Sequence, residues 1–314
     1  MTADAVPNRL VVLAAYDPDG ELAPQLRQQI MAWQGQTSRL MVVSAGQLQP
    51  SARQWISERA ELIERDNVGY DFLSYRVGLN VAGDLGRYDE VVLCNDSVIG
   101  PLRPYSRIFA EMAERPVDFW GITASQRIEP HLQSYFLVFR PWVVSAPSFR
   151  RFWAALTPIS ERREVIRRYE IGLSVTLRAA GFRMGSYFQP TVAEQRRARI
   201  RTAWWISRRS DAPRRLRELI ARSREPWNPT YALADAAWTD GRLPVVKLDT
   251  LRLDPYGLDA ARLLRSGGRR FPEAFAEVPA YLARTAAHYP PRPDERLRRP
   301  RRLLAPVQPL VRYR

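Results

Sequence analysis

The sequence predicts an α/β fold, a mixed but mostly parallel sheet flanked by helices, followed by a basic and largely helical C-terminal extension. Three observations predict it. The chain opens with a buried-strand pattern at residues 9–16, apolar residues at helical spacing (Leu22, Leu26, Ile30, Trp33) and a second apolar run at 40–43. Strand, helix, strand in that order makes a parallel pair joined by a right-handed crossover. A further apolar run, residues 91–94, is bounded by charge upstream and by Gly100-Pro101 downstream, and ends on Asn95-Asp96-Ser97. In an open α/β sheet, ligands sit just beyond the carboxyl end of such a strand.

The elements follow in order. The first strand stops at Asp17-Pro18-Asp19-Gly20, a turn signal. A helix over 51–59 and a short strand over 61–65 lead into Arg65-Asp66-Asn67-Val68-Gly69-Tyr70-Asp71, a loop that becomes the helix 73–82. Asn67 and Gly69 suit a tight turn and Asp71 suits an N-cap; a helix N-terminus here offers free N–H groups to a diphosphate. Past the central strand come a helix over 105–114, a strand over 117–123, a strand over 131–140 and a helix over 149–156. Residues 164–181 form the clearest helix, closed by Gly181. Its apolar stripe of Ile166, Leu173, Leu177 and Ala180 also carries Glu170, a carboxylate that must be paired or pointed into a site. Tyr187-Phe188 reads as a last strand.

The boundaries that result are 1–192 for the sheet domain, 193–287 for a basic helical region packed on it, and 288–314 for a tail rich in Pro and Arg. Within the middle region, 212–224 reads as a basic helix, Asn228-Pro229-Thr230 opens another, and 243–248 is a strand or an extended segment. Trp204-Trp205 among arginines either packs on the main domain or anchors at a membrane interface, and packing is favoured.

Composition narrows the function classes. The longest apolar run, 135–144, is broken by Arg140-Pro141, far short of the roughly 20 residues that span a bilayer. Asp4 and Pro7, with no apolar core, do not make a signal peptide. The one cysteine, Cys94, cannot pair within the chain, which fits the cytosol. A formal charge of +15 invites a nucleic-acid reading, but Lys247 is the only lysine, and so strong an arginine skew discounts the charge as a functional signal. The basic runs at 196–201, 208–217 and 296–302 are candidates for the phosphates of lipid headgroups, lipid-linked acceptors or nucleic acid. No specific nucleic-acid partner is expected.

The chain resembles the rhamnan synthesis protein F family, bacterial glycosyltransferase-like proteins of cell-surface polysaccharide assembly. The resemblance is carried by Ala15-Tyr16-Asp17-Pro18-Asp19-Gly20, Asn67-Val68-Gly69-Tyr70-Asp71-Phe72, residues 88–101, Asp118-Phe119-Trp120-Gly121, His131-Leu132-Gln133-Ser134-Tyr135-Phe136 and Tyr169-Glu170-Ile171-Gly172-Leu173-Ser174. Asn228-Pro229 and Pro244-Val245-Val246-Lys247 continue it, so that it covers roughly residues 8–258. It implies a GT-A-type fold, a nucleotide-sugar donor with dTDP-rhamnose favoured, and inverting transfer to a growing lipid-linked glycan. With the lone cysteine and the basic C-terminal region, the expectation is a cytoplasmic enzyme whose basic region touches the inner face of the membrane. The wider GT-A class ends its central strand on two carboxylates that hold a divalent ion against the donor diphosphate. This chain offers Asn95-Asp96-Ser97, with one carboxylate. Either Asp96 holds Mg²⁺ or Mn²⁺ with help from the donor phosphates, or basic residues such as Arg76 and Arg103 share the neutralisation.

The same resemblance assigns the donor side to Asp17, Asn67, Asp71, Asn95, Asp96 and Ser97, the acceptor side to His131 and Gln133, and the general base to Glu170. Each has a plainer role beside the functional one. Asp17 shapes the Pro18-Gly20 turn, Asn67 and Asp71 shape a loop and a cap, and Asn95, Asp96 and Ser97 satisfy backbone groups at a strand end. His131 is a satisfied buried imidazole, and Glu170 is the partner of a buried arginine. A second function class stays open: a non-catalytic component of an assembly complex that binds a glycan or a partner enzyme through the same crevice.

Overall fold

The computed structural model describes residues 8–209, 211–212, 216–222, 224–238, 241–290, 297–298 and 308–314. The chain divides into two compact units. One comprises the chain up to Asp96 with Arg103–Ala124 and Glu129–Tyr187; the other comprises Ser97–Leu102, Ser125–Ile128 and the chain from Phe188 onward.

The first unit is built on seven strands: β1 Arg9–Ala15, β2 Arg39–Ala45, β3 Glu61–Arg65, β4 Glu90–Asn95, β5 Phe119–Gly121, β6 Phe136–Phe139 and β7 Met184–Ser186. Their order across the sheet is β7-β5-β6-β4-β1-β2-β3. Every pairing is parallel except those of β6, which runs antiparallel between β4 and β5. The expected mixed, mostly parallel sheet flanked by helices is therefore present. Chain order reverses between β1 and β4, the topological switch at which open α/β sheets leave a crevice beyond the strand ends.

β1 and β4 are buried along their whole length, as strands covered by helices on both faces must be. Alternation sorts their side chains. Leu10, Val12 and Ala14 join a cluster with Phe72, Tyr75 and Leu79 of the helix Tyr70–Ala82, which is α3 after α1 Pro24–Trp33 and α2 Pro50–Ser57. Gly78 of α3 sits against β1 so closely that a Cβ there would lie 2.3 Å from Val12 Cγ1, so only glycine permits the approach. On the other face Trp33, which ends the helix Pro24–Trp33, stacks on Tyr105 at 3.9 Å and lies 6.1 Å from Phe136. At the end of the sheet away from the switch, Glu90 is buried between Arg9, at 2.5 Å, and Arg140, at 2.8 Å. Desolvation draws the Arg9 guanidinium below its usual pKa, and the Glu90 carboxylate opposes that.

Four local expectations need correction. The last strand is Met184–Ser186, not Tyr187-Phe188: it is 184–186 that pairs parallel with Phe119–Gly121, and Gly185 lies so close to Val117 that a Cβ would meet it at 2.6 Å. Residues 131–140 are not one strand: His131–Leu132 forms a short bridge, a turn intervenes, and β6 begins at Phe136. The helix over 164–181 is α-helical at Arg162–Val165, π-helical at Ile166–Ile171 and α-helical again at Gly172–Ala179. Asp71 is not the N-cap of α3; Gly69 is, at φ 70°, a left-handed conformation that glycine adopts without strain.

The second unit opens with the helix Val192–Arg208, held by a capping box between Thr191 and Glu194. Arg201 on that helix and Asp235 form an ion pair that is 1% and 2% exposed, with bonds of 2.7 and 2.8 Å. Trp204 is buried with its indole N–H donated to the Gly257 carbonyl, and Trp205 stacks on Tyr256 at 4.8 Å, so both rings pack within the unit. The basic helix expected at 212–224 is Leu216–Arg222, and Val246–Lys247 pairs antiparallel with Val98–Ile99. The basic run at 296–302, apart from Leu297 and Arg298, and most of the tail at 288–314 lie outside the described residues. Among those described, no helix is long and apolar enough to cross a membrane.

Candidate functional site

The loops that leave β1 and β4 meet at the switch. Asp96, the first residue after β4, accepts the backbone N–H of Tyr16, the first residue after β1, at 3.0 Å, and donates its own N–H to Ala14 O at 3.1 Å. One residue earlier, Asn95 is 4% exposed and donates its side-chain amide to the Asp71 carboxylate at 2.7 Å. The end of β4 is thus fastened to β1 on one side and to the first turn of α3 on the other. Asp71 lies where a carboxylate also complements the positive end of the helix dipole.

Sequence reasoning gave Arg65 no role, yet it organises the loop before α3. Its guanidinium donates to the carbonyls of Asp66, Val68 and Tyr70 at 2.6, 2.6 and 2.7 Å, and its Nε donates to Ser74 Oγ at 2.9 Å. With its carbonyls gathered onto one cation, the loop turns through Gly69 and Tyr70, both at positive φ. Asn67 is exposed on this loop. The signal that could have found Arg65 is its place at the end of a strand, directly before a turn full of carbonyls that need donors.

Tyr75, one turn of α3 further on, is the hub that sequence reasoning also missed. Its ring is fully buried and its hydroxyl donates to the Ser134 carbonyl at 2.9 Å. Burial pushes the phenol well above its usual pKa, and the nearby carboxylates of Asp71, Asp96 and Glu170 push it further. Ser134 in turn fixes Glu170: its N–H and its hydroxyl both donate to Oε2, at 2.8 and 2.5 Å. The other oxygen, Oε1, lies 3.7 Å from His131 Nε2. His131 Nδ1 is 2.7 Å from the Glu129 carbonyl, which can only accept, so Nδ1 carries a hydrogen. Glu170 sits on the π turn, a geometry frequent at functional sites. Its partners are a serine, a backbone amide and a histidine, and none is a buried arginine.

The remaining candidates have structural partners. Asp17 accepts the N–H groups of Asp19 and Glu21, both at 3.0 Å, which builds the turn its neighbours suggest. Gln133 is 5% exposed and accepts the Thr123 hydroxyl at 2.8 Å; Tyr135 lies 2.7 Å from the same hydroxyl. Ser97 begins a segment of the second unit, where its carbonyl accepts Leu248 N–H at 2.9 Å. The two arginines suggested for charge neutralisation are engaged elsewhere: Arg76 donates to the Leu156 carbonyl, and Arg103 donates to the Tyr187 hydroxyl and pairs with Glu111 at 3.3 Å.

The structure therefore brings together Asp71, Asn95, Asp96 and Glu170 around Tyr75, with His131 beside Glu170. Among the described residues no three of His, Cys, Asp and Glu gather to hold a metal ion. A divalent cation at Asp96 would have to draw most of its oxygen ligands from a bound phosphate. Chemically the arrangement has an anchored carboxylate at a strand end, a helix N-terminus beside it, and a second carboxylate held by one oxygen.

A family model described as rhamnan synthesis protein F matches residues 40–207. Among curated proteins the chain is similar to the uncharacterized protein y4gN of Sinorhizobium fredii, 30% identical over 58% of this chain and 49% of that protein. It is also similar to virulence protein VirA of Vibrio anguillarum, 32% identical over 38% of this chain and 40% of that protein. The chain thus spans about half, or less, of the length of these relatives. Among solved structures it is similar to CMP:2-keto-3-deoxy-manno-octonic acid synthetase complexed with CTP, with a TM-score of 0.37, 9% identity and coverage of 57% of this chain and 89% of that one. A 4-diphosphocytidyl-2C-methyl-D-erythritol synthase gives 0.37, 11%, 57% and 88%.

Proposed function

Because the chain belongs to the rhamnan synthesis protein F family, we propose that it is a glycosyltransferase of cell-surface polysaccharide assembly, which moves a sugar from a nucleotide-sugar donor to a lipid-linked glycan. Rhamnose from dTDP-rhamnose is the donor we favour, and the transfer inverts the anomeric centre. The chain would work at the cytoplasmic face of the membrane, in peripheral contact with it.

The single observation that carries this reading is the hydrogen-bonded set at the switch between β1 and β4: Tyr16 donates to Asp96, Asn95 donates to Asp71, and Tyr75 donates to Ser134, which in turn donates to Glu170. In the proposed reaction the acceptor oxygen attacks the anomeric carbon as the bond from that carbon to the diphosphate oxygen breaks. Glu170 takes the hydroxyl proton; the two hydrogen bonds from Ser134 hold Oε2 and leave Oε1 as the basic oxygen. Asp96 orients the diphosphate, directly or through Mg²⁺ or Mn²⁺, while the first turn of α3 offers it backbone N–H groups. Asn67 and Asn95 position the donor side, with Asp17 and Ser97 at its edges; His131 and Gln133 flank the acceptor.

Thermal stabilisation against dTDP-rhamnose, GDP-mannose, GDP-fucose and UDP-hexoses, with and without Mg²⁺ or Mn²⁺, tests the proposal, because ligand binding raises apparent stability by mass action. A selective shift that disappears in Asp96→Ala identifies the donor. No shift with any donor, even with a lipid-linked acceptor added, favours the non-catalytic assembly role; the lone carboxylate at the end of β4 is the observation behind that reading.

A further inference from the structure

In the second unit, the helix Ala260–Arg270 places Arg262, Ser266, Arg269 and Arg270 at spacings of four, three and one, which returns all four to one face. That face, together with Trp238 and Arg314, lines a cavity of about 330 Å³. Four of the six lining residues are arginines and none is acidic. Among the described residues no carboxylate pairs with Arg262, Arg269 or Arg270 through its side chain; Arg269 bonds only Ser266 Oγ, at 3.3 Å. Elsewhere in this chain arginines are paired readily, as with Arg201 and Asp235 or Arg183 and Asp118. Unpaired guanidinium groups gathered in one concavity repel one another, and an anion would relieve that.

Trp238 walls the cavity, its ring held between Phe271 at 5.9 Å and Phe275 at 6.1 Å. Guanidinium forks match phosphate oxygens in pairs.

We propose that this cavity is a binding site for a ligand bearing a phosphate or diphosphate, held by Arg262, Arg269 and Arg270. The ligand is an organic phosphate, either soluble or the headgroup of a lipid. The site lies outside the carboxylate cluster of the first unit and does not depend on the glycosyltransferase reading.

The test uses the full chain. Binding of inorganic pyrophosphate is measured by titration calorimetry, and binding to phosphatidylglycerol vesicles, with phosphatidylcholine vesicles as reference, by sedimentation. The variant Arg262→Gln/Arg269→Gln/Arg270→Gln is compared with Arg107→Gln/Arg150→Gln/Arg151→Gln, which removes equal charge from exposed positions elsewhere. Expected is a loss of affinity of about tenfold or more in the first variant and little change in the second. Pyrophosphate binding without vesicle binding assigns the site to soluble ligands; vesicle binding that pyrophosphate displaces assigns it to a headgroup. Equal losses in the two triple variants, or no binding of either probe by the unmodified chain, overturns the proposal.

Discussion

Asp96 accepts the backbone N–H of Tyr16 at 3.0 Å, so the residue that ends the central strand is bonded to the residue that ends its parallel neighbour. One carboxylate thereby has two jobs, bracing the crevice and carrying charge into it, and substitution can separate them.

Asp96→Asn keeps an oxygen for Tyr16 and removes the charge; Asp96→Ala removes both. We expect Asn to melt within about 1 °C of the unmodified chain and Ala to lose about 1 kcal/mol, the usual worth of such a bond. Nucleotide-sugar affinity falls about tenfold or more in both. Equal affinity in all three proteins would remove Asp96 from the donor site.

Glu170→Gln retains an acceptor for Ser134 and abolishes the base. Turnover is expected to drop by a factor of about 10² to 10⁴, while stabilisation by the donor is unchanged. Parallel losses of turnover and donor binding would mean that Glu170 holds the site together and does not take the proton.

Asp118 governs part of the acid response. Its carboxylate accepts from the Arg183 guanidinium and backbone N–H and from the Trp142 indole, and the Arg183 hydrogen bonds hold its pKa at about 2, below the ordinary 3.8. A carboxylate whose folded pKa is depressed stabilises the fold above its unfolded value and loses that contribution as pH falls through the folded one. Stability should therefore decline between about pH 4 and pH 2, and Asp118→Asn should flatten that limb in denaturant titrations at stepped pH.

Cys94 is fully buried in β4, and burial pushes its thiol far above the usual range. A disulfide reagent such as dithionitrobenzoate should release no colour from the native chain and one equivalent after denaturation. Reaction in the native state would show that β4 opens locally.

The sheet was legible because its strands announce themselves by burial: residues 10–15 and 91–94 are apolar on both faces, and only interior strands are. The candidate residues were legible for the same reason, since a polar group that interrupts such a run has few explanations. What escaped was the support. Arg65 is one arginine among many in the sequence, and nothing local says that its guanidinium folds back onto three carbonyls of the next loop. Tyr75 reads as an ordinary apolar position of a helix, because its hydroxyl partner, Ser134, is 59 residues away. Met184–Ser186 was missed because a strand defined by a glycine at close quarters carries no apolar signature.

The π turn at Ile166–Ile171 sets the phase of the helix that follows it. In an α-helix each residue advances about 100°, so one residue of slack in this turn moves everything downstream by that angle relative to everything upstream. Val165 before the turn and Leu173 and Leu177 after it join the core, while Glu170 within it accepts from Ser134. A one-residue deletion within 166–171 would restore regular hydrogen bonding and swing either the carboxylate or the leucines out of place. The irregularity gives a single segment two independent bearings, one for the sheet and one for the crevice.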